Sequence, residues 1–396
     1  MSLIFNYNKD LPKVMPLKAE YLRNQVILLK NIFQPEQKTK EWYDMRNTML
    51  TASDWGTVLG ENHYSNSNEV LKKKCGDDNF ITNAAMQWGN KYESVAVLIY
   101  EHRNNTTVYD FGCLKHPFID FLGASPDGIT ADGIMLEIKC PSSRKITGIP
   151  PSYYWCQVQG QLEVCDLDRC DFLECSIKEY LNEFEYLNDN FNSNFDLNIF
   201  GNEKGIVAEF LRKTDKKFIY VYSPVALSGR DLEIWKDDTI SKNESEDIIF
   251  SLFSYWYLEE VSCVPIYRNQ EWFNKSKVEL ELFWQKVLKY RELGLDKLKD
   301  DLQKEKDDKK NAKIQLKEQL KEESQSKKVK KEDKKTDIKP KRNQKKIRDF
   351  ITLDDTNNET KDETKDDTHN EMTLSSSDND DDDFIFSTQT NTSLFN

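Results

Sequence analysis

Asp127 and Glu137 stand ten residues apart in GASPDGITADGIMLEIKCPSS, the stretch from Gly123 to Ser143, and Lys139 lies two residues beyond the second acid. Between them Ala131, Asp132 and Gly133 read as a turn, with Gly133 the residue suited to a positive φ. If a three-residue loop closes an antiparallel hairpin there, Thr130 faces Ile134 and Asp127 falls opposite Glu137. Both carboxylates then share a face with Lys139, while Leu136 and Ile138 point into a core. A two-residue loop of Asp132 and Gly133 would shift the register by one and send the acids to opposite faces.

Two converging carboxylates repel, and one takes up a proton unless a cation lies between them. Hard oxygen donors with no histidine nearby suit Mg²⁺ or Mn²⁺ rather than zinc. Such an ion lowers the pKa of a bound water and neutralises a phosphate under attack. Three roles are open to a lysine beside it: orienting the water, taking its proton, or stabilising developing charge. On spacing alone an ordinary exposed acidic hairpin is the simpler explanation.

The surrounding elements decide whether these residues can be positioned. Thr39 to Gly60 reads as a short helix, a loop, and a second helix capped by Ser53 or Thr51 and ended by Gly60. Ala84 to Arg103 is a clearer helix, with Trp88, Tyr92, Val95 and Ile99 on one stripe. Three strand-like segments follow (TTVYDFGCLKH, FIDFLGASPDGI and GIMLEIKC), then a helix from Ser152 to Cys165, then the strand CDFLECSI. Further strands are expected at GIVAEFL and KKFIYVYSPV, and two closing helices around EDIIFSLFSYWYLEE and VELELFWQKVLKYREL. The order is that of an α/β domain.

Charge divides the chain. Residues 295–348 carry 21 Lys+Arg against 12 Asp+Glu, and residues 349–396 carry 2 against 14, within a net charge of −13. Both stretches are poor in aromatics and cannot bury enough apolar surface to offset the entropy of ordering them, which predicts a basic, partly helical or disordered linker and an acidic disordered tail. Residues 1–294 remain as the folded domain. No apolar run is long enough for a membrane span, and MSLIFNYNKDLPK lacks the order of a signal peptide, so a soluble, intracellular protein is expected. The eight cysteines include no C-x-x-C pair; although Cys156, Cys165, Cys170 and Cys175 are spaced suggestively, free thiols are the better reading. His63, His102, His116 and His369 fall in no motif and are expected to be structural or solvent-facing.

SPDG, EIKCP and a helix with QVQ together resemble the PD-(D/E)xK nuclease fold, a central mixed sheet flanked by helices. More narrowly they resemble the YqaJ viral recombinase family, to which phage lambda exonuclease is related. WYDMRNTMLTAS is similar to that family's W-x-x-x-R and T-A-S, and WGNKYE to its G-x-x-x-E helix, so the likeness runs in order across residues 42–178. The resemblance implies a metal-dependent 5′-to-3′ exonuclease on double-stranded DNA ends, using Mg²⁺ or Mn²⁺, two ions in all. By position, Asp127, Glu137 and the Ile138 carbonyl would be metal ligands, Glu93 the helix-borne acid completing the site, and Lys139 the catalytic lysine. Gly89 would leave room on the face of Glu93. Arg46 and Ser53 resemble a pocket for the 5′-phosphate, with Ser125 and Gln157 as further phosphate contacts. Gln161 shares the helix face of Gln157, with a less definite role, and Arg144, Lys145, Arg103 and Lys91 are candidates to line a DNA groove. The rival readings are a structure-specific or endonucleolytic enzyme of the same fold, and a catalytically silent DNA-end or clamp-binding scaffold.

Gln344, Ile347, Phe350 and Ile351 have the spacing Q-x-x-I-x-x-F-I and resemble the peptide by which replication proteins bind a sliding clamp. A plain basic DNA-contacting or nuclear-targeting stretch is the alternative. The resemblance further implies a single-strand annealing or binding protein as a partner, and a nuclear or viral replication site as location.

Overall fold

A computed structural model describes residues 16–77 and 83–336. The N-terminal part contains α1 (Pro16–Asn31), α2 (Lys40–Asn47), β1 (Leu50–Thr51), α3 (Ala52–Val58), α4 (Ser67–Lys74) and α5 (Ala84–Asn104). Then come β2 (Val108–Tyr109), β3 (Leu114–Lys115), β4 (Leu122–Ala124), β5 (Gly128–Thr130), β6 (Met135–Lys139), α6 (Ser152–Cys165) and β7 (Arg169–Glu179). The C-terminal part has α7 (Glu183–Asn188), β8 (Lys204–Arg212), β9 (Phe218–Tyr222), α8 (Gly229–Asn243), β10 (Ile248–Tyr267), α9 (Gln270–Leu293) and α10 (Leu295–Thr336).

The hairpin closes with the three-residue loop. Gly128 pairs with Leu136 and Ile129 with Met135, the Thr130 amide donates to the Ile134 carbonyl at 2.8 Å, and the Gly133 amide donates to Thr130 at 3.0 Å. Gly133 has φ +80°, where an L side chain is strained. β6 runs on through α6 to the parallel strand β7, a crossover that needs a helix's length of chain. The sheet order is β2-β5-β6-β7-β10-β8-β9, and β1, β4 and β3 form a separate three-stranded sheet.

Both faces of the main sheet are covered, so β6 is buried at all five positions. Met135 packs with Tyr154, Val158 and Leu162 of α6. Leu136 and Ile138 face the other way and pack with Tyr92, Val95 and Ile99 of α5. Glu137 and Lys139 therefore lie on the α6 side, under protein rather than in solvent.

The helix expected around EDIIFSLFSYWYLEE is instead part of β10. That strand pairs antiparallel with both β7 and β8, and Ser254, Trp256 and Leu258 are buried in alternation, the period of a strand. Its β-branched and aromatic residues suit a strand with neighbours on both sides. Helix α3 starts at one of the two expected caps, Thr51, whose side chain makes no capping hydrogen bond.

Among the described residues, those up to Leu295 form one compact unit and those from Asp296 onward a second. The second unit is the charged helix α10, with Lys297–Asp301 and Glu305–Lys309 pairs at i,i+4 spacing. The clamp-like residues Gln344, Ile347, Phe350 and Ile351, the acidic stretch 349–396 and His369 lie outside the described residues. Among the described residues no helix is long and apolar enough to cross a membrane. The eight cysteines are free thiols, and Cys165, Cys170 and Cys175 are core side chains.

Candidate active site

Glu137 is 0% exposed, and a carboxylate so placed must be met by donors. Gln157 Nε2 donates to its Oε1 at 2.7 Å and Gln161 Nε2 to its Oε2 at 2.6 Å. The two glutamines are four residues apart on α6, one turn of the same helix face. Lys139 Nζ is 3.0 Å from Glu137 Oε1 and sits 4.6 Å from the centre of the Tyr154 ring. Across the hairpin, Asp127 Oδ2 accepts the Ile138 amide at 2.6 Å. The resemblance implies a phosphate contact for Gln157; in the structure its amide, like that of Gln161, is hydrogen-bonded to Glu137.

Beside this centre, hydroxyls converge on Arg46. Its Nη1 donates to Ser125 Oγ at 3.3 Å and its Nη2 to Ser53 Oγ at 3.1 Å. Trp42, one helical turn earlier, donates Nε1 to Ser125 Oγ at 3.1 Å and lies 4.2 Å under the guanidinium. Ser125 is two residues before Asp127, so one short segment serves both clusters. Helices α3 and α6 bring Ser53 this close because glycines stand at their crossing. A Cβ on Gly160 would meet Trp55 Cε3 at 2.8 Å and Ala52 Cβ at 2.9 Å, and one on Gly56 would meet Tyr153 Cα at 2.7 Å.

Behind Ser53 lies a buried pair that the sequence reading missed. Asp54 and Lys74 are 3.0 Å apart with side chains 4% and 3% exposed. Burial pushes the Asp54 carboxyl up, but Lys74, Lys73 and Arg46 outweigh it and hold the group below its usual value. No local motif links these residues, because the pairing depends on how α3 and α4 pack.

Glu93 belongs to α5, on the opposite face of the sheet from Glu137. It lines a cavity with Gly89, Ile138, Lys139, Arg144 and Tyr153, among others, and lies 3.9 Å from Lys38 Nζ. Gly89 has open space where a Cβ would stand. Of the candidate groove cations, Arg144 reaches the cavity but pairs with buried Glu174 at 2.7 Å. Arg103 is held by Glu203 at 2.7 Å through Nε, and Lys91 lies between Glu179 and Glu209 at 2.5 and 2.7 Å. These last two are ion-pair residues of the scaffold rather than groove cations. His116 is structural, accepting the Phe118 and Ile119 amides on Nδ1.

The donor chemistry at the end of β6 fits a hard divalent cation: Asp127 and Glu137 offer carboxylate oxygens and Ile138 a carbonyl. Among the described residues, however, no group of three or more His, Cys, Asp or Glu side chains is gathered as a metal site. Glu93 shares the cavity with Ile138 and Lys139 from the α5 side.

The mixed sheet, the acid-bearing hairpin, the parallel crossover to β7 and the flanking helices α5 and α6 have the layered arrangement that the sequence resemblance implies. Residues 41–168 match the family model of the YqaJ-like viral recombinase domain. An uncharacterized protein of Acanthamoeba polyphaga mimivirus is 33% identical over 347 residues, covering 77% of this chain and 63% of the relative, so the chain spans less than two thirds of that protein's length. A protein of African swine fever virus is 28% identical over 158 residues, 32% of this chain and 46% of the relative. An alkaline exonuclease (LHK-Exo) from Laribacter hongkongensis overlays on 67% of this chain and 99% of its own, with a TM-score of 0.39 and 21% identity.

Proposed function

We propose that this chain is a metal-dependent deoxyribonuclease that hydrolyses double-stranded DNA from its ends in the 5′-to-3′ direction. The observation that carries the reading is the adjacency of two clusters, Asp127–Glu137–Lys139 and Arg46–Ser53–Ser125, joined through the segment from Ser125 to Asp127. A guanidinium with two hydroxyls suits a phosphate dianion. Held beside a hydrolytic centre, a terminal phosphate fixes which bond is presented, and positioning of that kind removes a large part of a reaction's entropic barrier.

Asp127, Glu137 and the Ile138 carbonyl would hold Mg²⁺ or Mn²⁺, with Glu93 contributing from the cavity wall. The ion, when bound, acidifies water and offsets charge on the phosphate. Lys139 places an ammonium where negative charge develops. Gln157 and Gln161 fix the orientation of Glu137, and Trp42 holds the plane of Arg46.

Purified protein is offered linear duplexes labelled at the 5′ or the 3′ end, with and without Mg²⁺, beside closed circles. Mononucleotide release from 5′ ends that requires metal is expected. Metal-independent release, or full activity in Lys139→Ala, overturns the mechanism, and cutting of circles favours an endonuclease. The proposal extends to a sliding clamp as partner through Gln344, Ile347, Phe350 and Ile351: a peptide with Phe350→Ala should bind the clamp more weakly than the native peptide.

A further inference from the structure

The chemistry above makes no use of the Asp54–Lys74 pair, yet both residues reach the phosphate cluster. Taking two charges out of water costs about as much as their attraction returns, so as a stabilising device the pair has no advantage over two apolar side chains. What it holds is specific. Asp54 Oδ2 accepts the Thr51 hydroxyl at 3.1 Å, and Thr51 Oγ1 is 3.3 Å from Ser53 Oγ. Lys74 Nζ donates to the Arg46 carbonyl at 3.2 Å. From the far side Arg291 Nε donates to the Lys74 carbonyl at 2.8 Å and its Nη2 to the Asn47 carbonyl, which ties α2 and α4 to α9.

We propose that Lys74 and Asp54 are positioning residues for the terminal-phosphate receptor, Lys74 through the backbone of Arg46 and Asp54 through the Thr51 hydroxyl that meets Ser53. This inference rests on the reading of Arg46, Ser53 and Ser125 as that receptor. Two physical effects favour the arrangement. Arg46 and Ser53 would otherwise lose rotamer freedom on binding an anion, and a tethered backbone with a fixed hydroxyl partner reduces that cost beforehand. The Asp54 carboxylate also lies only two hydrogen bonds from the receptor, where it would oppose an incoming dianion; Lys74 cancels its charge at 3.0 Å.

The test is equilibrium binding of fluorescent duplexes bearing either a 5′-phosphate or a 5′-hydroxyl, with the full chain in EDTA so that no hydrolysis intervenes. The wild type is expected to prefer the phosphorylated end by about tenfold. Thr51→Val removes the hydroxyl at nearly constant volume, and Asp54→Leu combined with Lys74→Met removes both charges together. Each is expected to cut that preference severalfold with affinity for the hydroxyl end unchanged, while Thr51→Ser keeps it. Variants that melt cooperatively and retain the full preference overturn the positioning role alone. Equal affinity of the wild type for both ends overturns the receptor reading itself, and the inference with it.

Discussion

Glu137 has one amide on each carboxylate oxygen, so neither glutamine is a spare. Gln161→Leu would leave Oε2 buried without that donor, which typically costs about 1–3 kcal/mol. We expect a loss of stability in that range by denaturant titration, together with an at least tenfold slower single-turnover hydrolysis, about the effect of misplacing a reacting group. Ser125 connects this acid to the Arg46 cluster, since its carbonyl receives Gln161 Nε2 at 3.4 Å and its hydroxyl receives Arg46. A change at Ser125 is therefore felt at both.

At the level of elements, the approach of α3 to α6 sets where Ser53 stands. Gly160→Val would push a branched side chain into Trp55 and Ala52, already 2.8 and 2.9 Å from an added Cβ, and overpacking of this kind costs about 1–3 kcal/mol. The expected result is a lower melting temperature and weaker discrimination for phosphorylated ends. The other end of α6 is fixed by Arg268, which meets Glu163 Oε2 at 2.7 Å and Asp166 Oδ1 at 2.6 Å. Burial raises both carboxyls, but His116 and Arg268 around Glu163, and Tyr21 and Arg268 around Asp166, leave them below their usual values. Depressed carboxyls lend stability above their unfolded pKa that is lost as pH falls through the folded one. Arg268→Met should thus cost about 2 kcal/mol at pH 7, a breaking-pair penalty discounted for partial exposure, and the variant's melting temperature should approach that of the wild type below about pH 4. The hairpin was legible in the sequence because Gly133 marks its turn and Leu136, Glu137, Ile138 and Lys139 alternate, but its register hung on the loop length, which only the structure fixes at three residues. β10 was not, because a run of Ile, Phe, Leu, Tyr and Trp reads as helix or strand until its neighbours are known. The pair of Asp54 and Lys74, twenty residues apart, was hidden for the same reason: it exists only once α3 and α4 have packed, whereas Gln157 and Gln161 were visible together as a one-turn repeat.

For the whole molecule, charge is distributed in a way that opposes and then favours a polyanion. Residues 1–294 carry 33 Lys+Arg against 43 Asp+Glu, residues 295–348 carry 21 against 12, and residues 349–396 carry 2 against 14. Proteins that neutralise phosphates release counterions, and their affinity falls with salt in proportion to the contacts made. A chain ending at Arg348 should bind duplex DNA more tightly than the full chain, and one ending at Gly294 more weakly than the Arg348 form, with a shallower dependence of log affinity on log salt. Equal salt slopes for the two truncated forms would remove residues 295–348 from the DNA-contacting surface. At the proposed site, Glu93 approaches from the α5 side of the sheet and Glu137 from the α6 side, and the cavity that Glu93 lines lies at the end of β6, with Ile138, Lys139 and Cys140 in its wall. The length of that strand is accordingly a gauge. Two more residues of β6 after Glu137 would keep every side chain on its proper face yet withdraw the acid some 7 Å from the rim, at about 3.3 Å per residue, leaving the fold intact and the two halves of the centre out of reach of each other.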